Sequence, residues 1–229
     1  MPQVAMSSAM AGRSAALFPV VGALIGLLLG SLGLWLDRFL PAGPVAGLLI
    51  ASAALLTGGL HLDGLMDTAD GVYGGHSPEQ RLAIMRDSRV GAFGIIAGSL
   101  ALLATLVCLS ELTGHNRLLA LVVATASSRW SMLIALAIFP SARVDGVGVT
   151  FQPGVTPAMS LFGTLFVVLL AFATRPFGVV AAAAALAIVV AWGYFLSRRL
   201  GGLTGDCYGA IAVLTETAVL FLAVAVIVP

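Results

Sequence analysis

Seven stretches of about 20 predominantly apolar residues, 17–36, 43–62, 91–110, 118–139, 156–174, 177–196 and 208–228, follow one another with short polar breaks between them. A helix of about that length crosses the hydrocarbon core of a bilayer, and only helices and closed barrels satisfy their backbone groups there. The chain therefore reads as an all-α, polytopic integral membrane protein with about seven transmembrane helices. Composition agrees, since 60% of the residues are apolar, only 9% are charged and the mean hydropathy is +1.09, whereas soluble domains run at about 25% charged. Its 229 residues fit one membrane-embedded domain, 1–229. The first run is too long for a secretory core and lacks a small-residue cleavage site, so it reads as a retained span.

The arginines orient these spans. There is no lysine, and Arg13, Arg81, Arg86, Arg89, Arg143, Arg198 and Arg199 fall on the side of the N-terminus, against Arg38, Arg117 and Arg175 on the other. That bias predicts a cytoplasmic N-terminus. The same assignment puts Asp63, Asp67, Asp70, Glu79, Asp87, Asp145 and Asp206 at the cytoplasmic face, with Asp37 and Glu111 outside and Glu216 inside a span. Acids do little to set orientation, so their gathering on one face suggests a site. A net charge of +1 gives no global affinity for nucleic acid.

The densest acidic segment, 61–71, reads HLDGLMDTADG and carries Asp63, Asp67 and Asp70. If the second span continues as helix to Gly71, a turn of 100° per residue sets the three carboxylates within about 60° of arc on one stripe, while His61 points elsewhere. Carboxylates about 6 Å apart repel by about 3 kcal/mol per pair at an effective dielectric of 20, so the stripe calls for a cation or for raised pKa values. All-oxygen ligation suits Mg²⁺; solvated interfacial acids are the plain alternative.

Two further segments suit phosphate. Arg86, Asp87, Ser88 and Arg89 precede the third span, and guanidinium groups beside a helix N-terminus bind anions; helix capping by Ser88 with positive-inside arginines is the alternative. Asp87 fits either a metal or an arginine. Arg198 and Arg199 open a glycine-rich connection, with Gly201, Gly202 and Gly205 before Asp206, that can present N–H groups to phosphate; alternatively Asp206 is simply an N-cap. Between the second and third spans, Ser77-Pro78-Glu79-Gln80 predicts a capped interfacial helix over 78–86. Gly91, Gly94 and Gly98 predict close helix packing.

Arg129 and Glu216 lie about 15 Å deep by helix rise, either as a salt bridge between the fourth and seventh spans or as substrate contacts. His61, His76 and His115 show no metal-binding spacing, and nothing near Cys207 would generate a thiolate.

GGLHLDGLMDTADG at 58–71, IMRDSRVGAFG at 84–94 and GGLTGDCYGA at 201–210, with FPVVGALIGLLLG at 18–30, closely resemble the cobalamin synthase family, whose members are adenosylcobinamide-GDP ribazoletransferases. The resemblance covers nearly the whole chain. It implies a membrane-bound, Mg²⁺-dependent transferase of cobalamin (vitamin B12) biosynthesis that joins adenosylcobinamide-GDP to α-ribazole or its 5'-phosphate and releases GMP. In that chemistry Asp63, Asp67 and Asp70 would hold Mg²⁺ on the pyrophosphate, with Asp206 or Asp87 completing the site. One carboxylate would take the ribazole hydroxyl proton, and Arg86, Arg89, Ser88, Arg198 and Gly205 would hold phosphate. Membrane lipid surrounds the spans, and the sequence is as compatible with a homo-oligomer as with a monomer.

Two other readings share some of these features. Asp67-Thr-Ala-Asp70-Gly71 matches the start of the acidic motif of CDP-alcohol phosphotransferases, but Gly74-Gly75-His76 departs from its continuation. A cation transporter would need acids along a path through the bilayer, and only Glu216 lies deep.

Overall fold

The computed structural model describes residues 8–228, and among them eleven α-helices and no strand. They are α1 (Ser8–Ser14), α2 (Phe18–Leu36), α3 (Ala42–Thr57), α4 (Leu60–Gly74), α5 (Pro78–Ile84), α6 (Ala92–Glu111), α7 (Gly114–Ile138), α8 (Val147–Phe151), α9 (Pro157–Ala173), α10 (Phe177–Leu200) and α11 (Gly205–Ile227). Five segments are long and apolar enough to cross a membrane alone: Gly12–Leu36, which contains α2, and α6, α7, α10 and α11. The number reaches seven if each of two bent pairs counts as one span. The protein is thus an all-α, multi-pass membrane protein.

The second span departs from the continuous helix read from its apolarity. Gly58 and Gly59 both adopt left-handed backbone, φ 63° and 69°, and α4 leaves α3 at 88°. Residues with a Cβ seldom take this conformation, and two in succession end one helix and start another. The acids therefore ride on a separate helix. A similar 93° bend separates the Gly148–Gly154 segment from α9, while α9 and α10 meet across a three-residue turn at 174–176.

The most enclosed span, α7, serves as the hub, with α2 and α11 as its main neighbours. Gly22, Gly26 and Gly30 form a small-residue stripe on α2; a Cβ on Gly26 would stand 2.5 Å from the Leu121 carbonyl oxygen, and one on Gly30 2.7 Å from Leu118 Cα. Thr125 Oγ1 donates to the Gly22 carbonyl at 2.7 Å. In lipid, packing and such hydrogen bonds replace the hydrophobic drive as the source of helix association.

Two buried clusters flank the hub. One gathers Leu36, Leu49, Leu112 and Leu121; the other gathers Val72, Met85, Leu196, Leu203 and Tyr208. Beside the first, Arg117 lies in the opening turn of α7 and is 1% exposed. Its Nη1 donates to Asp37 at 2.7 Å and its Nε to the Leu109 and Leu112 carbonyls. This one guanidinium ties the end of α2 to the last turn of α6 and the α6–α7 connection.

The predicted interfacial helix is α5, two residues shorter at its C-terminal end than expected. Ser77 Oγ accepts from Gln80 N at 3.3 Å, and the Gln80 side chain accepts from His76 N rather than from the cap residue itself.

Candidate active site

The site is built where α4 meets the first turns of α6 and α11. Gly64 lies against the backbone of Asp206, where a Cβ would come within 2.8 Å of its carbonyl oxygen. This close approach brings the acidic helix onto the start of α11. Asp63 is exposed and Asp67 half-buried; the Asp67 carboxylate feels the charges of Asp63, Asp206 and Asp70, with Arg143 as the opposing charge.

Asp70 faces elsewhere. It is 7% exposed, and its two oxygens accept from Gly91 N at 2.7 Å and Gly94 N at 2.8 Å. The N-terminus of α6 has no side-chain cap of its own, so Asp70 satisfies donors that would otherwise be orphaned. Ser88 makes no such bond, which removes the capping expectation for it. Among the described residues no three His, Cys, Asp or Glu side chains are already arranged to hold a metal ion.

Asp206 lies in the first turn of α11, but Thr204 is the N-cap, accepting from Cys207 N at 3.3 Å. The alternative reading of Asp206 as the N-cap is thereby removed, and its carboxylate is left to Thr204 Oγ1, at 3.3 Å, and to Arg143 Nη1, at 3.4 Å. Gly205 opens the helix beside it. Arg143 was not singled out in the sequence. It comes to Asp206 because the connection after α7 pairs with the one before α11: Leu203 N donates to Pro140 O at 2.8 Å and Ala142 N to Leu203 O at 2.9 Å. No sequence spacing announces such a pairing.

The arginine-rich segment is an exposed loop between α5 and α6. Asp87 pairs with Arg89, Oδ2 to Nη2 at 2.7 Å. Hydrogen bonds from that guanidinium and from the Arg89 backbone hold the Asp87 carboxyl down at about 2. Arg86 instead reaches Asp145 at 2.8 Å, bridging this loop to the connection that carries Arg143. Arg198 stacks on Tyr194 of its own helix, 4.7 Å from the ring centroid, and Arg199 on Phe195 at 5.0 Å. Nothing among the described residues links Arg198 to the acids.

Deeper in the bundle, Arg129 Nη1 donates to Glu216 and to Ser128 Oγ. With His61, these two charges line a cavity of about 120 Å³ beside the Gly58–Gly59 break.

Segments 58–71, 84–94 and 201–210 thus meet at one end of the helix bundle. The chain matches the model of cobalamin-5-phosphate synthase over residues 1–224. It belongs to that family. Among curated relatives, an adenosylcobinamide-GDP ribazoletransferase of Desulforamulus reducens is 39% identical over 92% of this chain and 85% of its own length. One of Ralstonia nicotianae is 39% identical over 93% of this chain and 84% of its own, and one of Roseiflexus sp. is 36% identical over 94% and 80%. No solved structure matches the chain. With the cobalamin-5-phosphate synthase family matched along nearly the whole length, the CDP-alcohol phosphotransferase and transporter readings find no support.

Proposed function

We propose that this chain joins adenosylcobinamide-GDP to α-ribazole or its 5'-phosphate, with release of GMP, at the cytoplasmic face of a cell inner membrane. The observation that carries the reading is the convergence of three segments distant in sequence, through Gly64 on Asp206 and Asp70 on Gly91 and Gly94. The arginine bias across the spans supports the orientation.

The reaction exchanges a phosphoanhydride oxygen for a phosphoester oxygen on one phosphorus. A ribazole hydroxyl attacks the cobinamide-side phosphorus of the pyrophosphate, the bridging P–O bond breaks, and GMP departs with the bridging oxygen. Asp63 or Asp67, exposed and half-buried on one stripe of α4, takes the hydroxyl proton. Arg86 and Arg89 hold phosphate oxygens by exchanging their exposed carboxylate partners, Asp145 and Asp87. Asp70 serves by fixing the start of α6 against α4.

Mg²⁺ fits this donor set. Asp63, Asp67 and Asp206 offer hard oxygen donors, and at Asp67 the charges of the other acids are opposed by Arg143. A three-carboxylate cage is not required, because Mg²⁺ keeps several waters and is held through one or two carboxylates together with substrate phosphates. When bound, it supplies charge neutralisation on the leaving phosphate.

The test is GMP release by the purified protein from adenosylcobinamide-GDP plus α-ribazole, with and without Mg²⁺. Release with Mg²⁺ and its loss on chelation are expected. No GMP under either condition would overturn the reading.

A further inference from the structure

A cavity of about 400 Å³ lies between α5 and the connection that follows α7, with Glu79, Leu82, Arg86, Arg143 and Val144 in its lining. Arg143 joins it to the acid cluster through the 3.4 Å contact with Asp206. That contact is longer than the roughly 2.7–2.9 Å of a good charge-assisted bond. Arg143 Nε is buried without a hydrogen-bond partner, and Nη2 has only a 3.5 Å contact with the Leu82 carbonyl. A guanidinium this poorly satisfied beside a cavity is suited to an anion with several oxygens.

The rest of the lining narrows the ligand. Val144 is 95% exposed, an apolar side chain standing in water, and Leu82 on α5 provides a second apolar wall. Between them there is room for a flat, weakly polar body. Glu79 adds an exposed carboxylate held in its charged form by hydrogen bonds in the first turn of α5. A carboxylate accepts from paired N–H donors, which guanine presents at N1 and N2. Adenine places the N1 lone pair there instead.

We propose that this cavity holds the guanosine monophosphate half of the substrate, with Arg143 and Arg86 on its phosphate and Glu79 on the guanine edge. The assignment rests on the reaction proposed above, and it puts the leaving phosphate next to Asp206.

The experiment is calorimetric titration of the full chain in detergent with GMP, and with AMP as the comparison. Wild-type protein binds GMP about 10-fold or more tightly than AMP, as expected for two hydrogen bonds to a charged group. Glu79→Gln, whose amide turns one of the two acceptors into a donor, removes the preference for GMP over AMP. Arg143→Ala weakens both nucleotides about 10- to 100-fold, and Arg143→Lys restores part of the loss. Should Arg143→Ala fail to fold, the exposed Glu79 variant still decides the matter. Equal affinity of the wild type for the two nucleotides, no binding of either, or an unaltered preference in Glu79→Gln would each overturn the assignment. Selective GMP binding without GMP release in the full reaction would sink the reaction reading instead.

Discussion

Asp70 accepts the backbone N–H of Gly94 at 2.8 Å across 24 residues of chain, and this bond joins the acidic helix to the next span. Replacing the carboxylate by an amide removes its charge and turns one acceptor into a donor facing the N–H groups. Charge-assisted hydrogen bonds contribute about 1.5–3 kcal/mol each, so Asp70→Asn is expected to lower the thermal midpoint in detergent clearly. Its activity loss should persist at high Mg²⁺. Asp67→Asn should behave oppositely, with an unchanged midpoint and activity that recovers as Mg²⁺ is raised. A Mg²⁺ titration of both variants distinguishes the two roles.

The Arg129–Glu216 pair is tested by a double-mutant cycle. Removing one partner of a buried pair leaves an uncompensated charge and costs about 3–5 kcal/mol, whereas removing both with apolar residues of similar size is close to neutral. Arg129→Met and Glu216→Leu should each destabilise the protein, and the double variant should melt above either single. A double variant that melts below both would exclude the pairing.

Gly26 on α2 has no room for a side chain, since the Leu121 carbonyl and Val122 Cα lie 2.5 and 2.6 Å from where its Cβ would be. Gly26→Leu should therefore prevent normal packing of α2 on α7, through overpacking that costs about 1–3 kcal/mol or more. Gly47, whose Cβ would meet nothing within 4 Å, should tolerate alanine. Yield of monodisperse protein in detergent is the measure for both.

Asp87 should not shape the acid limb of the activity profile. Arg89 lowers its carboxyl from the ordinary value of 3.8 to about 2, so the pairing is fully present above pH 4 and is lost only as pH falls through about 2. The pH–rate curve of Asp87→Asn between about pH 5 and about pH 9 should keep the wild-type shape, whatever its height. A displaced acid limb would show that Asp87 titrates in that range.

Sidedness is directly measurable, because Cys108 and Cys207 are both buried. A membrane-impermeant maleimide should leave intact cells carrying Ser88→Cys unlabelled and react once the cytoplasmic face is opened. His115→Cys, at the start of α7, should label without opening.

Much of this architecture was legible in the apolar runs, because a helix long enough for the bilayer leaves its length in the sequence. The break at Gly58–Gly59 was not, since hydropathy is blind to direction and both sides of the turn are apolar. Helical phase set Asp63, Asp67 and Asp70 on a common stripe of one helix. Phase cannot say which neighbour each acid meets, and Asp70 turned to α6 while Asp67 stayed with Asp206. Arg143 left no local signal, as its position depends on backbone pairing between residues about 60 apart. Thr204, not Asp206, caps α11, and residue type alone does not fix which of two nearby capping residues starts the helix.

The seam between α2 and α7 bears on how the protein is made. The Thr125–Gly22 bond spans 103 residues, which ribosomes add in roughly 5 to 20 s. For that interval the first helix has no partner for its glycine groove, and the hub onto which it locks has yet to be synthesised. The groove must remain covered by lipid or by the insertion machinery until α7 arrives, so biogenesis is most exposed to failure before the middle of the chain enters the membrane.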